Sequence, residues 1–376
     1  MSLTQLADNL RWNDPAEPPP DVDWPVWLRL AAEHGVAPLL YRLWRAEVPR
    51  PVQEELRRQA QHTALRNRLL QAQAERILTA LESAGVPVIL LKGLTLIGTL
   101  YPSPELRPVR DLDLLFRLED LPRADRVLKE LGYAKAFVPG LGRKEFLGWR
   151  APKHGQPYWP LGFLGSAWGP AQGPWAGVEP HWRLAEHAPG LGMDLTQAAW
   201  GRAQSFTLGS ATGLALEPTL RFLHLACHAA FDALKRLLRL VHLYDLTLEA
   251  ARWETDWEEL VSLAQQHQAE RYLYAGLYLA RRWLAAPVPE ETLDALRPPV
   301  PRSLYRWLAQ APLAAFLMAP APSRTAWQKL RLRLYQAQRA LKWTRTPAEA
   351  TRVLAEALVP NAARGVWAWL RGMAVA

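Results

Sequence analysis

The chain has 376 residues, of which 49% are hydrophobic and 10% aromatic, enough to bury the cores of two or three domains; an intrinsically disordered chain is excluded. The 45 Lys and Arg residues outweigh the 36 Asp and Glu residues to give a net charge of +9. That balance is compatible with a polyanionic partner, but the basic residues are dispersed and no Lys/Arg block forms a nucleic-acid-binding arm.

The first part of the chain is helical in pattern. Trp27, Leu28, Leu30 and Ala31 recur at helical spacing, and residues 54–81 form a longer amphipathic stretch rich in Ala, Leu, Arg and Gln. The character then changes. Val86-Pro87-Val88-Ile89-Leu90-Leu91 reads as a buried strand that runs into Lys92-Gly93 and an apolar segment able to start a helix. A second β-like run covers residues 109–116, a helix-like run covers 121–131 before Gly132, and a third β-like run lies around 178–182. Residues 146–182 are crowded with Gly, Pro and Trp, which predicts turns and short strands. From residue 217 the helical pattern returns, over 220–248 and 257–285, then more weakly, with a break at 299–301. The reading is therefore an α+β fold: an N-terminal helical region (1–84), a mixed-sheet core with a Gly/Pro/Trp-rich insertion (85–216) and a C-terminal helical region (217–376).

The chemistry sits in Val109-Arg110-Asp111-Leu112-Asp113-Leu114-Leu115-Phe116. Side chains alternate along a strand, so Asp111 and Asp113 share a face while Leu112 and Leu114 point into a core. Paired carboxylates suit Mg²⁺, a hard cation that keeps positions open for water and phosphate oxygens, with Mn²⁺ as the alternative ion. Two ions roughly 3.5–4 Å apart clamp the attacking and leaving oxygens of an in-line displacement. Glu179, in Gly177-Val178-Glu179-Pro180-His181-Trp182, is the best candidate for a third carboxylate that approaches a metal and accepts a proton from the acceptor.

In order along the chain, Leu91-Lys92-Gly93, Arg107, Asp111-Leu112-Asp113-Leu114-Leu115 and Val178-Glu179-x-His181-Trp182-Arg183-Leu184 resemble the uncharacterised nucleotidyltransferases of the polymerase-beta-like superfamily. Weaker matches are His34-Gly35-Val36-Ala37-Pro38-Leu39-Leu40, Leu223-His224-Leu225-Ala226-Cys227-His228 and Asp256-Trp257. The resemblance implies a small mixed sheet flanked by helices, and transfer of a nucleoside monophosphate from an NTP, ATP included, with release of pyrophosphate. It implies that Asp111, Asp113 and Glu179 hold the metals, that Gly93 lets the backbone approach the triphosphate, and that Lys92 or Arg107 neutralises phosphate charge. One departure stands out: better-studied members carry Gly-Ser or Gly-Gly in the glycine turn, whereas this chain has Lys92-Gly93-Leu94, leaving Thr95 to supply the hydroxyl.

Several residues are open to two readings. Lys92 serves as a strand-end surface pair or a phosphate contact, and Arg107 and Arg110 either bind phosphate or balance the aspartates. His181 orients the third carboxylate or the substrate, or is simply buried. His224, His228 and Asp232 fall at i, i+4 and i+8, a metal-ligand spacing that nothing else in the sequence completes; packing and local hydrogen bonding is the preferred reading, with acceptor binding the other. Asp245 has the same ambiguity. The tryptophans from Trp149 to Trp182 anchor an irregular segment or stack on a base.

The acceptor is a small molecule, a protein or a tRNA end. A non-catalytic nucleotide-binding or interaction protein, and a toxin-like nucleotidyltransferase acting on tRNA, are the alternatives. The single Cys227 argues against an intrachain disulfide framework or a thiolate zinc cluster, and Met1-Ser2-Leu3-Thr4-Gln5 does not read as a secretory signal, so a cytoplasmic setting is expected. The longest apolar stretch, 307–322, is broken by Pro312, Pro320 and Pro322, which argues against a membrane partner.

Overall fold

The computed structural model describes residues 3–18, 22–44, 48–135, 158–160, 177–252, 254–318 and 326–358. The helices are α1 (Leu3–Asp8), α2 (Trp24–Glu33), α3 (Ala37–Leu43), α4 (Arg50–Ser83), α5 (Gly93–Thr99), α6 (Leu121–Glu130), α7 (Thr196–Gly201), α8 (Pro218–Lys235), α9 (Leu240–Ala250), α10 (Trp257–Gln266), α11 (Glu270–Leu284), α12 (Glu290–Leu296), α13 (Arg302–Gln310), α14 (Ala326–Leu341) and α15 (Pro347–Leu358). The strands are β1 (Val88–Leu91), β2 (Leu112–Phe116), β3 (Tyr133–Lys135), β4 (Tyr158–Pro160), β5 (Val178–His181), β6 (Ala185–Ala188), β7 (Leu191–Asp194), β8 (Ala203–Leu208) and β9 (Ala211–Leu216). The fold is α+β.

A mixed seven-stranded sheet runs in the order β3-β4-β5-β2-β1-β9-β8, and β6 and β7 form a separate hairpin. At its centre β2 is antiparallel to β1 and parallel to β5. Both faces of this centre are covered, as the unbroken burial of β1 and β2 requires. Val88, Leu90, Leu112, Leu114 and Phe116 pack with Leu70, Ile77 and Leu81 of α4 and Val127 and Leu128 of α6. Ile89, Leu91 and Leu115 alternate to the other face and join the large core shared by the N-terminal and C-terminal helices. Asp113 pairs with Leu91 and Glu179, and Leu115 with His181, so the carboxylates belong to this second face, beneath the C-terminal helices.

The 34-residue α4 is positioned by a stripe of buried residues at three- and four-residue spacing, among them Leu56, Ala60, Thr63, Asn67, Leu70, Ala74 and Ile77. It begins with Pro51 in its first turn and ends before Gly85, which takes a left-handed φ of 63°. The helical pattern over 220–248 resolves into two helices. Arg236 adopts φ 59° and ψ 46°, and Leu238 leaves the helix to bridge Leu317, with Met318 N–H donating to its carbonyl. Tertiary pairing overrides a continuous helical propensity there. Likewise, the pattern over 257–285 divides at Gln268, whose φ is 53°. Most of the 146–182 stretch, including Trp149, Trp168 and Trp175, lies outside the described residues; 158–160 form β4. Among the described residues no helix is long and apolar enough to cross a membrane.

Helices α8 and α11 approach until a Cβ on Gly276 would stand 2.5 Å from the backbone oxygen of Ala226. Backbone cannot step aside as a side chain does. Gly276→Ala is therefore expected to lower unfolding free energy by about 1–3 kcal/mol through overpacking. Denaturant titration checks this, and native stability in the variant would contradict the packing.

His34 closes α2 with its ring 1% exposed, and its Nδ1 has no hydrogen-bond partner. Burial, with Arg239 adding to it, pulls its pKa down to about 4. A group depressed in the folded state stabilises fully above its unfolded value near 6.5, and that stability is lost as pH falls towards 4. At about 1.4 kcal/mol per pH unit, roughly 3 kcal/mol should disappear across this window. Urea unfolding at pH 7, 5 and 4 should show a steeper loss for the native chain than for His34→Gln; equal slopes would rule this out.

Candidate active site

The segment carrying the aspartates is fixed from α4. Asn67 Nδ2 donates to the carbonyls of Pro104 (2.6 Å) and Arg107 (2.8 Å), while its Oδ1 accepts from Val109 N–H at 3.2 Å. The Arg66 guanidinium donates to the carbonyls of Val109 and Arg110. The chain is thus clamped immediately before Asp111, and β2 carries Asp113 onward into the sheet.

Asp113 is buried and receives two partners. His181 Nε2 lies 2.8 Å from its Oδ1, and Lys92 Nζ lies 3.7 Å from its Oδ2. Glu179 Oε2 is 4.0 Å from His181 Nε2, and its side chain is one-third exposed. One ligand atom from each of Asp113, Glu179 and His181 falls within 4.8 Å of the others. Asp111, the residue before β2, lies outside that group, though close enough to Asp113 for the two charges to repel. Burial first, then repulsion from Asp113, raises its pKa. Burial alone would raise Asp113 as well, yet Lys92 and the His181 contact outweigh it and hold that carboxyl well below the carboxylate range. Burial likewise works against the Lys92 ammonium, but Asp113, Glu186, Asp111 and Asp232 keep it charged and raise its pKa.

Lys92 reaches this position from a backbone of φ 46° and ψ −141°, a region that a side-chain-bearing residue rarely enters. Such a conformation costs of order 1–3 kcal/mol and persists only where the surroundings impose it. Gly93 follows at φ 31°, and a Cβ there would stand 3.0 Å from Val109 Cγ1. The turn between β1 and α5 therefore packs on the strand-entry segment that carries Asp111.

Two expected contacts fall elsewhere. The Thr95 hydroxyl is buried and donates to the Lys92 carbonyl at 2.7 Å, so it does not take the place of the missing turn serine. Arg107 turns its fork on Asp245, with Nε to Oδ1 at 2.8 Å and Nη2 to Oδ2 at 2.7 Å, and Tyr101 OH donates to the same Oδ1 at 2.6 Å. With all these groups buried, Arg107 is a strut between the loop before β2 and α9 rather than a phosphate ligand, and Asp245 acquires its role by the same contact. Arg110 is exposed next to Asp111, and its charge acts on that carboxyl.

A second group of side chains faces Lys92. His228 Nδ1 lies 2.8 Å from Glu186 Oε1, and its Nε2 lies 3.4 Å from Asp232 Oδ2. His242 Nδ1 approaches the same Oδ2 at 3.2 Å, and Lys235 Nζ lies 3.7 Å from Glu186 Oε2. His224 is buried, its ring 6.2 Å from that of His228. The sequence reading singled out His224, His228 and Asp232 but missed Glu186, His242, Asn67 and Arg66. Only Asn67 left a signal, as an amide on the apolar stripe of α4.

Clustered carboxylates beside one half-buried lysine, on a small mixed sheet, define a class: an enzyme of phosphate chemistry. The family model described as "Uncharacterised nucleotidyltransferase" matches residues 20–285, so the chain belongs to that family and is a nucleotidyltransferase. Its family implies an NTP substrate. Neither a curated protein nor a solved structure matches the chain.

Proposed function

We propose that the chain transfers a nucleoside monophosphate from a Mg²⁺-bound NTP to an acceptor, using the face formed by Asp111, Asp113, Glu179, His181 and Lys92. The observation that carries this is the convergence of Asp113, Glu179 and His181 from adjacent strands. The donor set fits a hard divalent cation, because Asp111, Asp113 and Glu179 offer carboxylate oxygens against one fixed ammonium. These three would hold Mg²⁺, or Mn²⁺ in its place, and the bound ion neutralises charge on the phosphate oxygens.

The protein's own groups supply the rest. Lys92, fixed and charged, meets triphosphate oxygens, while Gly93 leaves room for the chain to lie close to them. Arg110, exposed beside Asp111, adds a second positive contact in the role first assigned to Arg107. Glu179, the more accessible carboxylate, takes the proton of the acceptor as its oxygen attacks the α-phosphorus; the bond from that phosphorus to the bridging oxygen breaks and pyrophosphate leaves. His181 holds Asp113 in orientation through its 2.8 Å contact.

The catalytic core in this reading is 85–216, between helical regions 1–84 and 217–376. A cavity of about 750 Å³ beside Arg110, lined also by His62, Arg66 and the Arg58–Glu55 pair, is the space this reading assigns to the acceptor, with RNA the acceptor tested first. The lone, buried Cys227 suits a cytoplasmic setting. Cell extract incubated with α-labelled or γ-labelled NTP tests the reading. Label should pass to acceptor only from the α-position, and ribonuclease should remove it; transfer of the γ-label would overturn nucleotidyl transfer by this site.

A further inference from the structure

Helix α8 carries His228 and Asp232 one turn apart, and α9 begins with His242 after the chain has reversed through the left-handed Arg236. From the two helices, His228 Nε2, Asp232 Oδ2 and His242 Nδ1 come together, all within 4.8 Å of one another. The two measured edges of this triangle are 3.4 Å and 3.2 Å. Two ligands at about 2.0–2.1 Å from a tetrahedral Zn²⁺ stand about 3.3–3.4 Å apart, and both edges to Asp232 match that spacing.

Three further observations suit this group to an ion. The buried Nδ1 of His242 meets the same Asp232 oxygen that His228 approaches, so both imidazoles converge on one carboxylate. The other nitrogen of His228 is engaged by the buried Glu186 carboxylate at 2.8 Å, an arrangement that turns Nε2 towards the cluster. That carboxylate–histidine contact is the usual support behind a metal-bound imidazole. Finally, the three side chains are 11–20% exposed, which leaves an entry path.

We propose that His228, Asp232 and His242 form a second cation site of the borderline transition-metal class, taking Zn²⁺, with Glu186 as the positioning residue behind His228. Two imidazoles and one carboxylate select such an ion over Mg²⁺, which prefers an all-oxygen shell. Three protein ligands leave a fourth position open, the pattern of working rather than structural zinc. Lys92 is paired with Asp113, and the charges of Glu186 and Asp232 also act on its ammonium, so the two clusters share one electrostatic neighbourhood. In that position the fourth ligand is an oxygen of the acceptor; this role rests on the proposed nucleotidyl transfer, whereas the binding of the ion stands without it.

The test uses the full chain stripped with a chelator and titrated with Zn²⁺ by calorimetry in excess Mg²⁺, then with Co²⁺ by visible absorption. One equivalent of Zn²⁺, and the intense absorption of four-coordinate Co²⁺, are expected for the native chain. His228→Gln and His242→Gln should each weaken Zn²⁺ binding at least about tenfold, and Glu186→Gln about tenfold through the imidazole it supports. The Asp111→Ala/Asp113→Ala chain should bind Zn²⁺ as the native chain does. No stoichiometric Zn²⁺ in the native chain, undiminished binding in His242→Gln, or loss in the Asp111→Ala/Asp113→Ala chain would each overturn the site. Because the native titration is itself decisive, a variant that misfolds does not protect the proposal. Mg·NTP binding measured on the same samples separates the two readings, since failure of the zinc site leaves that binding untouched.

Discussion

Asp113→Asn is expected to reduce nucleotidyl transfer by about 10³-fold or more while the chain remains folded, a loss of about 4 kcal/mol of transition-state stabilisation. The amide keeps the volume of the carboxylate and can still meet His181, so packing at the centre of the sheet is preserved. What disappears is a charged oxygen between Lys92 and His181, the two groups that hold Asp113 ionised. On stability the effects oppose one another. Lys92 loses its nearest anion, but Asp111, whose pKa is raised by burial and then by Asp113, loses a repulsive neighbour. The far-UV spectrum and a cooperative melt should therefore survive. Incorporation of α-label, followed alongside the melt, checks the expectation; a folded Asp113→Asn chain with more than a tenth of native activity contradicts it.

The second large effect concerns stability. Asp245→Ala should cost about 3–5 kcal/mol, because it strands the Arg107 guanidinium, 9% exposed, without its bidentate partner. Arg107→Met should be nearly as damaging, since Asp245 would keep only Tyr101. The double variant Arg107→Met/Asp245→Leu is expected to recover most of the lost stability, as replacing both members of a buried pair by apolar groups usually does. It should also bind Mg·NTP within about threefold of the native chain, because Arg107 braces the loop before β2 and does not reach phosphate. Chemical unfolding and NTP titration of the three variants decide the matter. A stable Arg107→Met chain that has lost NTP binding would return Arg107 to the phosphate site.

The strands at the centre were legible because each combines an apolar run with a glycine or charged boundary: residues 86–91 before Gly93, and 109–116 with its alternating aspartates. The structure starts them later, at Val88 and Leu112, since Pro87 has no N–H for the ladder and Asn67 clamps the segment up to Val109. An approach of Glu179 to Asp113 was expected from the strand pattern, but the group that the structure assembles joins them with His181 rather than with Asp111, which lies just before the first residue of β2. Partnerships across long separations were not legible. Asp245 lies 138 residues from Arg107, and Glu186 lies 42 residues before His228, distances at which no local pattern announces a contact. The β8–β9 hairpin went unread although Gly209-Ser210 marks its turn, because Ala203–Leu208 and Ala211–Leu216 mix small and polar residues with few β-branched ones. The break at Arg236 carried no Gly or Pro to signal it, and that break is what delivers His242 to His228 and Asp232.

The most direct test of the central claim is calorimetric titration of ATP, GTP, CTP and UTP, with and without Mg²⁺, into the native chain and into Asp111→Ala/Asp113→Ala. At least one NTP should bind the native chain only when Mg²⁺ is present and should fail to bind the variant, with both chains folded by circular dichroism. Equal binding to the two chains would place the nucleotide elsewhere and contradict the site.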